Sequence, residues 1–248
     1  MKRFRVDLHV HTVLSPCAEV AMIPPLIVQQ ALEQKIDLIA ITDHNASANV
    51  DAVQKAAEGT GLTVLPGMEV QSREDVHLLT LFETLDALKI WQKEVDGALP
   101  EKHNNSDLFG EQFVVDETGA FLHSEPRLLL TSTHFSIDEI IGRVRELGGI
   151  VIPAHVERTT YGLLPTLGLI PEQWNLSALE ISRRISPEKA VETFPALQKY
   201  SLIQNGDVHR LDEFLGTTFL TLLSPALKEI EMAFKKISGR DVYIESSA

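Results

Sequence analysis

The chain has 248 residues, a hydrophobic content of 44% and a formal net charge of −13 at pH 7. This length and composition are typical of one large globular domain, expected to span residues 1–248. An acidic surface repels phosphate backbones, so long nucleic acid is expected to be a poor partner. No stretch approaches the roughly 18 apolar residues needed to cross a bilayer, which argues against a membrane protein.

The amino-terminal segment is expected to belong to the folded protein. Asp7, His9 and His11 interrupt the apolar core of about 7–15 residues that a signal peptide needs. Cys17 is the only cysteine, so no disulfide can form within the chain. A reducing compartment agrees with this, and we expect a cytoplasmic protein.

Short apolar runs alternate with amphipathic helices along the chain. Strands are predicted at residues 4–10, 37–42, 62–65, 76–82, 150–153, 178–181, 201–204, 217–222 and 240–244. Helices are predicted at residues 24–34 and 49–58, after Thr84, and from about residues 136 and 225. Ser136 and Glu139 form a capping box, and Ser224 is expected to cap the last helix.

Repeated strand–helix units predict a mainly parallel sheet with helices outside it. About seven such units indicate a barrel, and an open doubly wound sheet is the alternative. The polar segment 99–125 departs from this pattern and is interpreted as an insertion. It contains a predicted hairpin that turns at residues 116–119. The insertion is expected to be a solvated excursion rather than a lid.

The first group of chemical interest is D-L-H-V-H-T, at residues 7–12. His9 and His11 lie two residues apart on a predicted strand, so their side chains are expected on the same face. Two imidazoles on one face can bind one metal ion. The pair alone is weak evidence, because histidines at this spacing also occur by chance.

Further histidines and carboxylates lie close to the ends of other predicted strands: His44 in I-T-D-H, Glu69 in G-M-E-V, His77 in V-H-L-L, His155 in P-A-H-V, and Asp207 and His209 in G-D-V-H-R. Each has an ordinary interpretation, and His77 on its own is better explained as a core histidine. In parallel α/β folds, however, the carboxyl ends of strands converge on one crevice. Eight potential ligands would then suffice for two or more ions, since one ion takes about three to five. Nitrogen and oxygen ligands favour zinc, manganese or iron over calcium.

This ordered set of motifs, spanning residues 7–209, resembles the polymerase and histidinol phosphatase (PHP) domain family. The resemblance implies a distorted (β/α)7 barrel with two or three divalent metal ions, and an enzyme that hydrolyses phosphomonoesters or phosphodiesters. It also implies a partition of ligands. His9, His11, Glu69 and Asp207 would bind one ion; Glu69, His77 and His155 a second; and His44, His209 and Cys17 a third. Cys17 stands where family members commonly have His or Asp, so the alternative is a weak third site.

The expected reaction is hydrolysis of a small phosphorylated substrate by a metal-bridged hydroxide. Asp207 or His209 would position the water or protonate the leaving oxygen. The arginines expected to bind phosphate oxygens are Arg158, Arg183, Arg184 and Arg210. Two alternatives stay open, an amidohydrolase that cleaves C–N bonds and a non-catalytic metal-binding or regulatory module. Three histidines match no motif and are expected to be structural or surface residues, namely His103, His123 and His134.

Overall fold

The structure, a computed structural model, describes residues 1–245. The strands are β1 (Lys2–Val10), β2 (Leu38–Ile41), β3 (Thr63–Gln71), β4 (His77–Leu81), β5 (Phe113–Val115), β6 (Phe121–Ser124), β7 (Ile150–Pro153), β8 (Ala178–Ile181), β9 (Ser201–Gln204), β10 (Thr218–Leu222) and β11 (Asp241–Ile244). The α-helices are α1 (Pro24–Glu33), α2 (Val50–Ala57), α3 (Leu85–Ala98), α4 (Ser106–Phe109), α5 (Ile137–Glu146), α6 (Leu163–Leu167), α7 (Pro187–Thr193) and α8 (Leu227–Phe234). Within this described range, no helix is both long and apolar enough to cross a membrane.

Seven strands form one curled sheet in the order β11-β10-β1-β2-β3-β4-β7. The parallel pair β8–β9 is a separate two-stranded sheet. It contacts both edges of the large sheet, since β8 contacts β7 and β9 contacts β11. The strands therefore surround a common interior, which confirms the expected α/β fold with a distorted barrel.

The barrel interior is filled by alternate residues of the strands. Each of the nine barrel strands contributes apolar side chains to one buried cluster, for example Val6 from β1, Leu79 from β4 and Ile203 from β9. Helix α8 adds Leu227 and Phe234 to the same cluster. A second cluster lies between the sheet and the outer helices and includes Trp91 from α3. Both layers follow from the two-residue period of strands and the 3.6-residue period of helices.

The sheet is less parallel than the sequence pattern predicts. Only β1–β2 and β2–β3 are parallel within the seven-stranded sheet, while its other four pairings are antiparallel. Strand β3 also continues past the predicted end at residue 65 and carries Glu69 inside the strand. Its second half pairs with β4 through residues 67–71. Because β4 is antiparallel, His77 at its start lies at the same end of the barrel as the carboxyl ends of β1 and β2.

Helix ends show where local sequence signals suffice. The predicted capping box of α5 is confirmed: the side chain of Ser136 accepts the Glu139 N–H, and the Glu139 carboxylate accepts the Ser136 N–H. Helix α8 differs from the prediction, because it begins at Leu227 without a cap from Ser224. The Glu83 carboxylate, just after β4, accepts the Leu227 N–H at 2.6 Å instead. A residue distant in sequence thus satisfies this helix end.

The segment 99–125 contains α4 and the predicted hairpin, formed by β5 and β6. Its turn is where the sequence placed it, with the Gly119 N–H donating to the Asp116 carbonyl at 3.0 Å. One side of the segment is buried, including Gln112 and Val114, whereas all of β6 is exposed. The Phe113 N–H donates to the Val13 carbonyl at 3.0 Å, which ties the segment to the loop after β1.

Candidate metal centre

The histidines and carboxylates predicted from the sequence meet at one end of the barrel. His9 lies in β1 and Glu69 in β3, while His77 is the first residue of β4. The others lie in the loops that follow strands: His11 after β1, His44 after β2, His155 after β7, and Asp207 and His209 after β9. The pairing of β1 with β2 shifts register between Asp7 and Val10, and such a bulge re-aims side chains next to a site.

Glu69 lies at the centre of this cluster and is 1% exposed. Its carboxylate oxygens lie within 3.4 Å of ring nitrogens from five histidines. The distances are 3.3 Å to His9 Nε2, 3.4 Å to His11 Nε2, 2.9 Å to His44 Nδ1, 2.8 Å to His77 Nδ1 and 3.4 Å to His155 Nε2. The Asp207 Oδ1 atom lies 3.3 Å from His9 Nε2, on the side that opens to solvent.

Several of these buried atoms have no hydrogen-bond partner. They are His9 Nε2, His11 Nε2, His77 Nε2, His155 Nδ1 and Glu69 Oε2, the last of which lies 2.9 Å from His44 Nδ1 without hydrogen-bond geometry. An unpaired buried polar atom costs about 1–3 kcal/mol, so a cluster of five is unfavourable without a ligand. Three groups of ligand atoms lie within 4.8 Å of one another: His11, His44 and His209; His9, His11 and Glu69; and His44, Glu69 and His77. Imidazole nitrogens with a carboxylate are suitable ligands for zinc, manganese or iron.

The side chains of the cluster shift one another's pKa values, because they are buried and closely packed. Burial acts to raise the pKa of Glu69, but His77, His9 and His44 hold it well below its ordinary value. Burial lowers the pKa of His77 to about 4 although Glu69 opposes this. Burial, with His209 and His44 nearby, also keeps the pKa of His11 well below its ordinary value. His11 and His77 are thus neutral imidazoles beside an ionised carboxylate, the protonation states that bind divalent metals. Although burial opposes it, Glu180 and Glu69 raise the pKa of His9, and Cys17 and Glu69 raise that of His44, so these two histidines release a proton when a metal binds.

A second layer of polar groups, which the sequence analysis missed, orients these ligands. The Asp43 carboxylate accepts hydrogen bonds from the Ser15 hydroxyl at 2.7 Å and from the Thr12 N–H at 2.7 Å. The Ser15 hydroxyl in turn lies 2.9 Å from His11 Nδ1, so that Nε2 of His11 faces Glu69. Glu180 on β8 makes the corresponding contact with His9. Such partners hold metal-binding histidines in one tautomer and orientation.

Two of the candidate residues have backbones in the left-handed region. His155 has φ 32° and Asp207 has φ 50°, and neither is glycine. Non-glycine residues adopt this region at a cost, which is often found at functional sites. The surrounding contacts maintain it; the Asp207 carbonyl, for example, lies 2.9 Å from His209 Nδ1.

Cys17 lies at the edge of the cluster, where it lines one cavity with His44 and His209. Partial burial acts to raise its pKa, but the two histidines lower the pKa of Cys17 to about 6. The residue keeps exposed surface. Over residues 1–245, none of the three groups of mutually close ligand atoms includes Cys17. The thiol therefore lies on the solvent side of a metal ion that His44 and His209 would bind.

The four arginines predicted to bind phosphate line a single cavity of about 270 Å3, together with Cys17, Asp207 and His209. Arg158 donates to Asp207 Oδ2 at 2.8 Å, which links it directly to the cluster. Arg183 pairs with Glu213 at 2.7 Å, and Arg210 with Glu19 at 3.1 Å. No ion pair is formed by Arg184 within the described part of the chain. A chain of net charge −13 thus has a local concentration of positive charge at this cavity.

The three histidines without a motif lie outside the cluster. His103 lies in the insertion and forms an isolated β-bridge with Arg127, which follows the insertion. His123 lies on the exposed strand β6. His134 is exposed and precedes α5. None of them belongs to a group of potential metal ligands among residues 1–245.

Comparison with known proteins supports the interpretation of the cluster. The sequence profile of the PHP domain matches residues 7–146. The chain is 30% identical over 80 residues to the 5′-3′ exoribonuclease Rnm of Salmonella typhimurium, an alignment covering 30% of this chain and 26% of that protein. It is 24% identical over 281 aligned positions to the PolC-type DNA polymerase III of Staphylococcus aureus, covering 96% of this chain but only 19% of the polymerase.

Among solved structures, the fold is similar to that of the lesion-specific endonuclease Q of Pyrococcus furiosus. The TM-score is 0.72 at 18% identity, and the match covers 97% of this chain and 58% of the endonuclease. A second structure shows endonuclease Q with a 27-mer duplex that has an abasic lesion at the active site. The chain therefore spans about a quarter or less of the two sequence relatives, and little more than half of the endonuclease.

These comparisons correct one expectation. Proteins that share this fold or part of this sequence include an endonuclease bound to duplex DNA and an exoribonuclease, so the expectation that long nucleic acid is a poor partner is wrong. Net charge failed as a guide because it sums the whole surface, whereas the field at a cleft is set by the groups that line it. Here the lining includes Arg158, Arg183 and Arg184. Because the matched profile covers more than half of the chain, the chain belongs to the PHP domain family.

Proposed function

We propose that this protein is a metal-dependent phosphoesterase that hydrolyses phosphodiester bonds in nucleic acid. The observation that carries the proposal is the position of the unpaired Nε2 atoms of His9 and His11 beside Glu69, next to a cavity lined by four arginines. Metal ligands and phosphate-binding groups thus share one site. The similar proteins described above are an exoribonuclease, a DNA polymerase and an endonuclease, which cleave or synthesise nucleic acid.

The proposed metal sites keep the partition of ligands that the family resemblance implies, and the close ligand atoms of His9, His11 and Glu69 support the first of them. His9, His11, Glu69 and Asp207 would bind one ion, and Glu69 with His77 and His155 a second. His44 and His209, with Cys17 as a further ligand, would bind a third. Glu69 would serve both of the first two ions, because its Oε2 lies 3.4 Å from His11 Nε2 and its Oε1 lies 2.8 Å from His77 Nδ1. Zinc, manganese and iron all match this set of donors, and a thiolate at the third site favours zinc.

When bound, such ions supply Lewis acidity and lower the pKa of water near the scissile phosphate. The protein's own residues bind and orient the substrate. Arg158, linked to Asp207, and Arg183 and Arg184 beyond it are placed to contact nonbridging phosphate oxygens. The His209 side chain is one fifth exposed. In the tautomer that carries its proton on Nδ1, that nitrogen donates to the Asp207 carbonyl. Its Nε2 is then free either to bind the third ion or, where that ion is absent, to exchange a proton with the leaving oxygen.

The experiment is cleavage of labelled single-stranded DNA and RNA oligonucleotides, with a phosphomonoester as a second substrate. Purified protein is assayed after chelation and after addition of manganese or zinc. We expect metal-dependent cleavage of an oligonucleotide that is lost in His11→Ala and retained in His123→Ala, a histidine outside the cluster. Hydrolysis of the monoester alone would assign a phosphatase instead. Metal-loaded protein without activity on either substrate would contradict the proposal and favour C–N hydrolysis or a non-catalytic metal module.

A further inference from the structure

Two cavities meet at the cluster. The first is the arginine-lined cavity described above. The second has a volume of about 350 Å3, and its lining includes Glu69 and His77 of the cluster together with two aromatic residues, Phe109 and Tyr161. Four residues line both cavities, namely Cys17, Arg158, Asp207 and His209. A ligand whose charged group lies at these shared residues can therefore extend into a cationic cavity and an aromatic one.

Tyr161 presents a fixed aromatic surface to the second cavity. Its ring stacks on His77 with centroids 4.3 Å apart and an interplanar angle of 5°. The backbone of Tyr161 has φ 62°, and its carbonyl accepts the His77 N–H at 3.1 Å. The residue nevertheless remains 37% exposed. A ring held by stacking and by a strained backbone, yet open to the cavity, is preorganised for a planar ligand.

Phe109 reaches the same cavity from the insertion. It is the last residue of α4 and is also 37% exposed. The next residue, Gly110, has φ +100°, and a Cβ there would overlap the Pro16 carbonyl oxygen. The insertion thus lies directly against the loop that carries Cys17. Asn49 further secures it, since its Nδ2 donates to the Phe113 carbonyl at 3.0 Å.

We propose that the second cavity is a nucleobase subsite, in which the base of an unpaired nucleotide contacts Tyr161 and Phe109. This inference rests on the proposed function and names its substrate as single-stranded nucleic acid. The phosphate lies at the residues shared by the two cavities, and the continuing strand follows the arginines. Aromatic surfaces bind bases by stacking, which tolerates any sequence, and they are accessible only to bases that are not already paired.

Binding is tested first with a single-stranded oligonucleotide that contains 2-aminopurine, whose fluorescence is quenched on stacking. We expect saturable quenching with the wild-type protein and about tenfold weaker binding by Tyr161→Ala. Tyr161→Phe, which keeps the ring, should bind like the wild type. Because Tyr161 also packs on His77, Phe109→Ala is the independent second variant and should weaken binding similarly. Phe121→Ala, an exposed aromatic of the same insertion outside the cavity, is the matched control.

Cleavage is then compared between a normal strand and an abasic strand of the same length. The wild type should prefer the normal strand about tenfold in kcat/KM, and both Tyr161→Ala and Phe109→Ala should reduce that preference. Equal cleavage of the two strands by the wild type, or unchanged binding and preference in both variants, overturns the base subsite. Stacking without any cleavage would support the subsite and contradict the proposed function, so the two failures are distinguishable.

Discussion

Glu180 lies against His9 inside the barrel, with its two carboxylate oxygens 3.1 and 3.0 Å from His9 Nδ1. Both residues are fully buried. Asn205 completes the contact, because its Nδ2 donates to Glu180 at 3.1 Å while its Oδ1 accepts the Leu8 N–H at 2.9 Å. His9 therefore donates through Nδ1 to Glu180, and its Nε2 is left to face Glu69 and Asp207.

This relationship predicts that Glu180 controls metal affinity without binding metal itself. We expect Glu180→Gln to weaken binding of zinc or manganese by roughly ten- to a hundredfold, because the amide no longer fixes His9 as a carboxylate does. Competition with a chromophoric chelator measures this affinity directly. The exposed Glu172, paired with Lys199, provides the control substitution Glu172→Gln. Equal affinities in the wild type and Glu180→Gln would show that the contact is only structural.

The arginine-lined cavity predicts a specific loss of substrate binding. Arg184→Ala should lower kcat/KM for an oligonucleotide by about tenfold, and Arg184→Lys should restore only part of it, since lysine lacks the bidentate fork. The dependence of kcat/KM on salt should also become shallower. Arg3→Ala removes an arginine at the start of β1, where it pairs with Glu245, and should leave kcat/KM unchanged. A similar loss in both variants would point to net charge rather than to the cavity.

Cys17 should react as a thiolate at unusually low pH. Because His44 and His209 lower the pKa of Cys17 to about 6, alkylation of the metal-free protein should accelerate as pH rises through about 6. The chain has one cysteine, so incorporation of iodoacetamide reports this residue alone. Added zinc should protect the thiol if Cys17 is a ligand of the third metal. A midpoint near the ordinary value of 9.0 would contradict the placement of the thiol beside the histidines.

Helix α5 provides a stability prediction away from the site. Ser136→Ala should lower the free energy of unfolding by about 1 kcal/mol, because the side-chain cap is lost, and Ser136→Thr should retain most of it. The Ser136 backbone N–H and hydroxyl lower the pKa of Glu139. A lowered folded-state pKa stabilises the protein above the unfolded value of 4.5, and this stability is lost as pH falls through the folded value.

Urea unfolding at neutral pH and at about pH 3 measures both effects of the cap. The difference between the wild type and Ser136→Ala should be larger at neutral pH, where Glu139 is ionised and the capping box is complete. A difference that grows on acidification would contradict the assignment of Glu139 to the box.

Much of the site could be predicted because its ligands follow simple local rules. His9 and His11 share a face through strand periodicity, and His44 and His155 follow strands whose apolar runs are easily recognised. The helix α5 was equally accessible, since the signal of Ser136 and Glu139 lies within four residues. In each case the determining interaction is local or depends only on the end of an element.

The features that were missed depend on contacts between distant segments. Nothing near Glu180 distinguishes it from an exposed strand residue. Its role arises only when the closed barrel brings Glu180 on β8 against His9 on β1. The extension of β3 through Glu69 and its antiparallel pairing with β4 are likewise decided by tertiary packing, which overrides local propensity. The role of Asp43 was missed for the same reason, because its partners Thr12 and Ser15 come from the loop after β1. The expectation that long nucleic acid is a poor partner was drawn from total charge, which does not report where arginines lie on the surface.

The most direct test of the central claim is the metal content and activity of one pair of proteins, the wild type and Glu69→Gln. Metal is measured by mass spectrometry after dialysis against zinc or manganese, and cleavage of a single-stranded oligonucleotide is assayed on the same samples. We predict about two or three equivalents of metal per wild-type chain. Glu69→Gln should lose at least one equivalent together with metal-dependent cleavage, because Glu69 faces five histidines. Wild-type protein that retains no metal, or a Glu69→Gln variant that cleaves as fast as the wild type, would contradict the account.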